Sequence, residues 1–206
     1  MPLLKIKNVQ SDVTLGLWQI TESVDAFLST DDALRQVYST FNPSENVNRT
    51  RERLAVYALL RHMKDAGTPL LIEHLDTGRP QLPGCHIGIS HTKGFAALIL
   101  SKTRPVGVDI EYHSDRVNRV AERFIRPDEV AETTASRLIN WCAKETIYKL
   151  FSDEHLDYFD MRLHPFTLQK RGTFEVEDLK IPKLQEVSYV VEPAYVLTYS
   201  VGMPQP

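Results

Sequence analysis

Residues 106–112 read VGVDIEY, and residues 107–117 extend the stretch to GVDIEYHSDRV. Val106, Val108 and Ile110 alternate with Gly107, Asp109 and Glu111. That is the two-residue period of a strand, whose successive side chains leave on opposite faces. One face is apolar and faces a core; the other carries two carboxylates. Burying a carboxylate is costly unless positive charge or hydrogen-bond donors meet it. Two acids at i and i+2 also repel each other unless a cation or donors intervene. Two readings stay open at this point: an edge strand with two ordinary solvated acids, or a site for a hard, oxygen-seeking cation such as Mg²⁺.

Further along, TASRLINWCAKETIYKLF (134–151) has the period of a long helix. Glu145 and Lys149 lie one turn apart on one side of it, in a row with Leu138, Trp141 and Cys142. Ile139, Ile147, Leu150 and Phe151 make other faces apolar as well, so the helix is expected to be packed on more than one side. The pair is either an i, i+4 ion pair or a pair of site residues. Facing Asp109 and Glu111, Glu145 would complete a set of three carboxylates, with the charge of Lys149 one turn away. Such a set suits phosphoryl chemistry, in which placed charge does most of the work.

The rest of the chain alternates helices and strands. LGLWQI (15–20) reads as a strand, and VDAFLST (24–30) and DDALRQVYSTF (31–41) as helices. NRTRERLAVYALLRHMKDAG (48–67) is a helix with Leu54, Tyr57, Ala58 and Arg61 on one row and Gly67 as its stop. HIGISHTKGFAALILS (86–101) reads as two strands around a polar SHTKG turn. Residues 116–126 look helical, and RPDEVAE (126–132) reads as a helix start, with acids at the positive end of the dipole. Towards the end of the chain, FTLQKRGTFEVEDLKI and SYVVEPAYVLTYSV read as strands with turns. The fold class expected is α+β, in two units of mixed helix and strand, residues 1–104 and 105–206.

Composition narrows the function classes. Of 206 residues, 42% are hydrophobic and 25% charged, as in an ordinary globular protein rather than a disordered one. A net charge of −3 argues against a polyanion binder, so no nucleic-acid partner is expected. Cys85 and Cys142 have neither CxxC nor zinc-finger spacing and read as free thiols of a reducing compartment. The N-terminal MPLLKIKNVQ lacks a signal-peptide core, and no segment reaches membrane-span length. A cytoplasmic, non-membrane protein acting as a monomer is expected.

GVDIE followed by WCAKETIYK resembles the G-[IV]-D-[IV]-E … W-x-x-K-E-[SA]-x-x-K signature of the 4′-phosphopantetheinyl transferases of the Sfp type. GRP (78–80) and ISHTKGFAALIL (89–100) resemble that family's upstream segments, in the same order. The likeness runs from Gly78 to Lys149, a third of the chain. Thr146 departs from the usual Ser or Ala, and Arg79 stands where Lys is also common, which keeps the charge but alters phosphate geometry.

The resemblance implies two similar α+β halves related by a pseudo-twofold, with the active site in the cleft between them. It implies coenzyme A as donor, Mg²⁺ as cofactor, a carrier-protein serine as acceptor and 3′,5′-ADP as product. Asp109, Glu111 and Glu145 would hold the metal. Glu145 or Glu129 would take the serine proton, and Lys149 would stabilise the leaving phosphate. His91 and Ser90 would bind coenzyme A phosphate, Arg79 the nucleotide part and Arg53 the 3′-phosphate. Lys144, also in the motif, is expected to point away from Glu145 into solvent. Arg116, Arg119, Arg123 and Arg126, spaced 3, 4, 3, form a candidate docking stripe for an acidic acyl or peptidyl carrier, or a merely solvated helix face. The alternatives are a Mg²⁺-dependent phosphohydrolase of coenzyme A or nucleotides, and a non-catalytic carrier-binding module.

Overall fold

The computed structural model describes residues 3–64, 70–75 and 78–204. The chain divides into two compact units, residues 1–102 and 103–206, and each is mixed α+β.

The first unit begins with β1 (Leu3–Gln10) and β2 (Val13–Gln19), followed by α1 (Val24–Thr30), α2 (Asp32–Tyr38) and α3 (Val47–Met63). Two short strands, β3 (Glu73–His74) and β4 (Pro80–Gln81), precede β5 (His86–Thr92) and β6 (Phe95–Ser101). The main sheet is antiparallel with order β1-β2-β6-β5. Asn46 caps α3 by accepting from the Asn48 N–H. From Leu54 to Leu60 every residue of α3 is buried. The expected single row widens to the whole circumference because the helix lies between the sheet on one side and α1 and α2 on the other. The anticipated stop at Gly67 lies outside the described residues.

The second unit runs β7 (Val106–Tyr112), α4 (Arg116–Val120), α5 (Thr134–Leu150), β8 (Met161–Leu163), β9 (Arg171–Asp178), β10 (Lys183–Val191) and β11 (Tyr195–Val201). Its sheet is antiparallel with order β7-β11-β10-β9-β8, so β7 stands at one edge. Register places Asp109 opposite Thr198 and Glu111 opposite Val196. α5 packs on β7 and β11, and Gly107 is what lets it come so close. A Cβ there would strike the Thr146 carbonyl oxygen and crowd Leu150.

Four local expectations change. RPDEVAE does not start a helix: residues 127–129 are turn and 130–132 irregular, and α5 begins at Thr134 under a capping box of Thr133 and Ser136. The acids of that stretch are drawn elsewhere, Asp128 to Arg126 and Glu129 into the interior. Ser90, His91 and Thr92 belong to β5, and the turn shrinks to Lys93–Gly94, with Gly94 at φ 82°. The arginine stripe is broken, since α4 ends at Val120 and tightens to a 3₁₀ turn over Ala121–Arg123. Arg126 lies beyond it, held by Asp128 and the Phe159 carbonyl. Finally, β1 and β8 are strands that were not anticipated.

Candidate active site

β7 and α5 bring four of the expected site residues together. Asp109 is buried on the α5 face of β7, and Lys149 Nζ donates to its Oδ1 at 2.6 Å and to the Val108 carbonyl at 3.3 Å. Glu145, one turn before Lys149, accepts at Oε1 from the Tyr158 hydroxyl at 2.7 Å. Glu111 accepts at Oε1 from Trp141 Nε1 at 3.3 Å.

The ionisation states carry the mark of crowding. Burial holds the Glu145 carboxyl above the ordinary carboxylate range; the Tyr158 hydroxyl pulls the other way, and the charge of Asp109 adds to the rise. Burial alone would lower Lys149, but Asp109 and Glu145 outweigh it and the ammonium is held above its usual value. Burial and then the Glu145 carboxylate push the Tyr158 phenol well up, so it remains a neutral donor at any physiological pH. Cys142, fully buried in the same row, has its thiol raised by burial, Asp109 and Glu111. It is an inert packing group.

The seam is closed by hydroxyls. Thr146, the departure from the Ser or Ala of the motif, pairs its hydroxyl with that of Thr198 at 2.6 Å, and both residues are wholly buried. The extra methyl and hydroxyl are thus accommodated by a β11 residue that faces α5 beside Asp109.

Lys144 is the clearest correction. It does not reach solvent: its side chain is 0% exposed and the Glu129 side chain 1%. Lys144 Nζ donates to Glu129 Oε2 at 2.8 Å and to the Phe124 carbonyl at 2.6 Å. Glu129 also accepts from the backbone N–H groups of Arg126 and Leu163. Both of its oxygens are thereby committed to tying the 124–129 turn and β8 to α5.

A cavity of about 480 Å³ opens beside Glu111. Val117, Phe124 and Leu138 give it apolar walls, Trp141 and Tyr158 also line it, and Arg116 and Arg123 add positive charge.

In the first unit, Arg49 donates to His91 Nε2 at 2.6 Å and His91 Nδ1 stands 3.0 Å from Glu52 Oε2. Arginine can only donate, so the histidine proton sits on Nδ1, facing Glu52. Ser90, adjacent in β5, is buried and leaves on the opposite face. Arg53 pairs with Glu45 at 3.0 Å and lies 3.6 Å over the Phe41 ring. Arg79 follows Gly78 at φ 81° and accepts at its carbonyl from the Leu75 N–H.

Asp109, Glu111 and Glu145 offer only carboxylate oxygens in a setting of excess negative charge, and that donor chemistry fits Mg²⁺. Among the described residues, however, no three His, Cys, Asp or Glu side chains converge as a ready metal centre. Each of the three acids is instead turned toward its own donor. Trp141 was visible in the motif only as part of the helix row. Tyr158 and Thr198 carried no signal in the sequence, because the fold alone brings them to α5.

No helix among the described residues is long and apolar enough to cross a membrane. No curated protein matches the chain. Residues 105–200, which contain β7, α5 and the whole carboxylate–lysine cluster, match the model of the 4′-phosphopantetheinyl transferase superfamily. Over that span the second unit is thus similar to the 4′-phosphopantetheinyl transferase superfamily, whose named chemistry is the transfer of a phosphopantetheine group.

Proposed function

We propose that the protein is a Sfp-type enzyme that moves 4′-phosphopantetheine from coenzyme A to a serine of an acyl or peptidyl carrier protein, with 3′,5′-ADP as the other product. The observation that carries this reading is the Asp109–Lys149–Glu145 cluster on one seam, with Glu145 raised and Lys149 charged.

Asp109, Glu111 and Glu145 would hold a Mg²⁺, which supplies Lewis-acid charge to the diphosphate when bound. Glu145 is assigned the serine proton from its place on the same seam as Asp109 and Lys149. Lys149 is assigned the charge that builds on the departing oxygen. Glu129, with both oxygens engaged, is assigned to hold Lys144 and β8 in place. The apolar cavity beside Glu111 suits the arm or the incoming serine, and Arg116 and Arg123 at its wall suit an acidic carrier. Arg53, Arg79, Ser90 and His91 are assigned to coenzyme A. Cytoplasmic location and a monomer remain part of the proposal.

The test is mass spectrometry of an apo-carrier incubated with coenzyme A, Mg²⁺ and the protein. The carrier is expected to gain one phosphopantetheine arm, and Lys149→Ala is expected to prevent it. Adenosine nucleotide released while the carrier mass stays constant would replace this reading with hydrolysis. An unchanged carrier with no nucleotide release would leave only a binding module.

A further inference from the structure

We infer that Trp141 and Tyr158 are positioning residues that aim Glu111 and Glu145 at a divalent cation, an inference that rests on the proposed metal-dependent transfer. Neither residue would touch the reacting atoms. Their relevance lies in how they hold two carboxylates. Trp141 donates its indole N–H to Glu111 Oε1 at 3.3 Å, and Tyr158 donates its hydroxyl to Glu145 Oε1 at 2.7 Å. Each donor occupies one carboxylate oxygen. On Glu145 that leaves Oε2 as the oxygen able to turn toward an ion.

Both donors are neutral. An arginine or lysine in either place would orient the carboxylate equally well, but it would cancel the charge a cation needs. An indole and a phenol fix orientation and leave the negative charge in place, as outer hydrogen-bond partners of metal ligands do. Lys149 on Asp109 is the contrasting case, a charged donor on the third acid.

The two rings are themselves held. Trp141 meets Phe124 edge-on at 5.1 Å between centroids and tilts against Tyr158 at 5.2 Å. Tyr158 begins a single 3₁₀ turn, Tyr158–Asp160, closed by a reciprocal cap of Asp157 and Asp160. The Asp160 carbonyl accepts from the Leu179 N–H at 2.8 Å, just past the end of β9. One aromatic pair thus couples an acid on β7 to an acid on α5. The sequence separation of Glu111 and Tyr158 hides the arrangement from any motif.

The experiment titrates Mn²⁺ alone, read by the electron paramagnetic resonance of free ion, into wild type, Tyr158→Phe and Trp141→Phe. Tyr158→Phe keeps the ring packing and removes only the hydroxyl. Its Mn²⁺ dissociation constant is expected to rise about 10- to 100-fold, the cost typical of losing an outer partner of a ligand. In steady-state transfer the same variant should raise the KM for Mg²⁺ while kcat at saturating metal stays near wild type. A lowered melting temperature with unchanged Mn²⁺ affinity would show a packing role and overturn the inference. So would wild-type affinity in both variants. A wild type that binds no Mn²⁺ would instead overturn the metal-dependent reading beneath it.

Discussion

α3 and α5 are both 17 residues long, each lies on an antiparallel sheet and both bury apolar side chains, yet only α5 adds ionisable ones to its seam. α3 buries Leu54 to Leu60 with no charged residue among them. α5 buries Asn140, Lys144 and Thr146, and carries Glu145 and Lys149 beside them. The glycines at the two seams differ in the same sense. A Cβ on Gly16 of β2 would meet the flexible end of Met63, 2.6 Å from Sδ, whereas one on Gly107 of β7 would meet the backbone of α5 itself. Nothing in helix-on-sheet packing requires ionisable groups, as α3 demonstrates. A seam that keeps them bears a desolvation cost that stability does not repay, and chemistry is the usual reason for such a cost.

This contrast can be broken at several points. The largest effect should come from Lys144→Met, which leaves Glu129 charged and buried without its cation; a loss of about 3–5 kcal/mol is expected in denaturant unfolding. The counterpart in the first unit is Arg61→Met, which strips the partly exposed Asp31 of a partner at 2.8 Å and should cost only about 0–1 kcal/mol. Equal losses would erase the distinction between the two seams.

Lys149→Ala should lower turnover by about 10²- to 10³-fold, as loss of a preorganised charge does, and should also lower the melting temperature, because Asp109 is left buried without its cation. A large drop in stability with activity intact would make Lys149 structural. Gly107→Ala should follow, at about 1–3 kcal/mol, because backbone cannot yield to a new methyl. Gly16→Ala should cost less, since Met63 can turn aside. The reverse order would mean that α5 can shift on its sheet.

The smallest effects concern pH, and their signs oppose. Burial works to raise Asp31, but the Ala33 N–H and Arg61 outweigh it and hold it below its usual 3.8. Its stabilisation is present above that value and is lost as pH falls through the depressed one. Asp31→Asn should therefore matter at neutral pH and cease to matter in acid. Glu145, raised above its usual 4.5, destabilises the folded form as pH rises from that value through the raised one. Metal-free Glu145→Gln should thus be the more stable protein at neutral pH, with the advantage vanishing below the ordinary carboxylate range. Melting curves across pH would check both.

How much of this was legible depended on periodicity. The strand over 106–112 and the helix over 134–150 were readable because their apolar positions repeat with clear periods, and the Glu145–Lys149 row followed from the helix. What failed was governed by contacts distant in sequence. Glu129 looks like a helix-start acid until Lys144, on another face of α5 from Lys149, draws it inward. Lys144 itself looks solvated until that acid is found. β1 buries neither face well, so its Leu4 and Ile6 gave no clear signal. The arginine stripe presumed one continuous helix, and the chain tightens at Ala121 instead. Tyr158 belongs to no periodic segment at all and reaches Glu145 only because the chain turns back after α5.

The central claim is that the acids of β7 and α5 form a divalent-cation site and not a structural ion-pair network. Calorimetric titration of Mg²⁺ into the protein saturated with coenzyme A, beside the Asp109→Asn and Glu145→Gln variants, tests it most directly. The account predicts saturable binding in wild type that both variants lose. Binding that persists unchanged in both variants, or is absent from wild type, would contradict it.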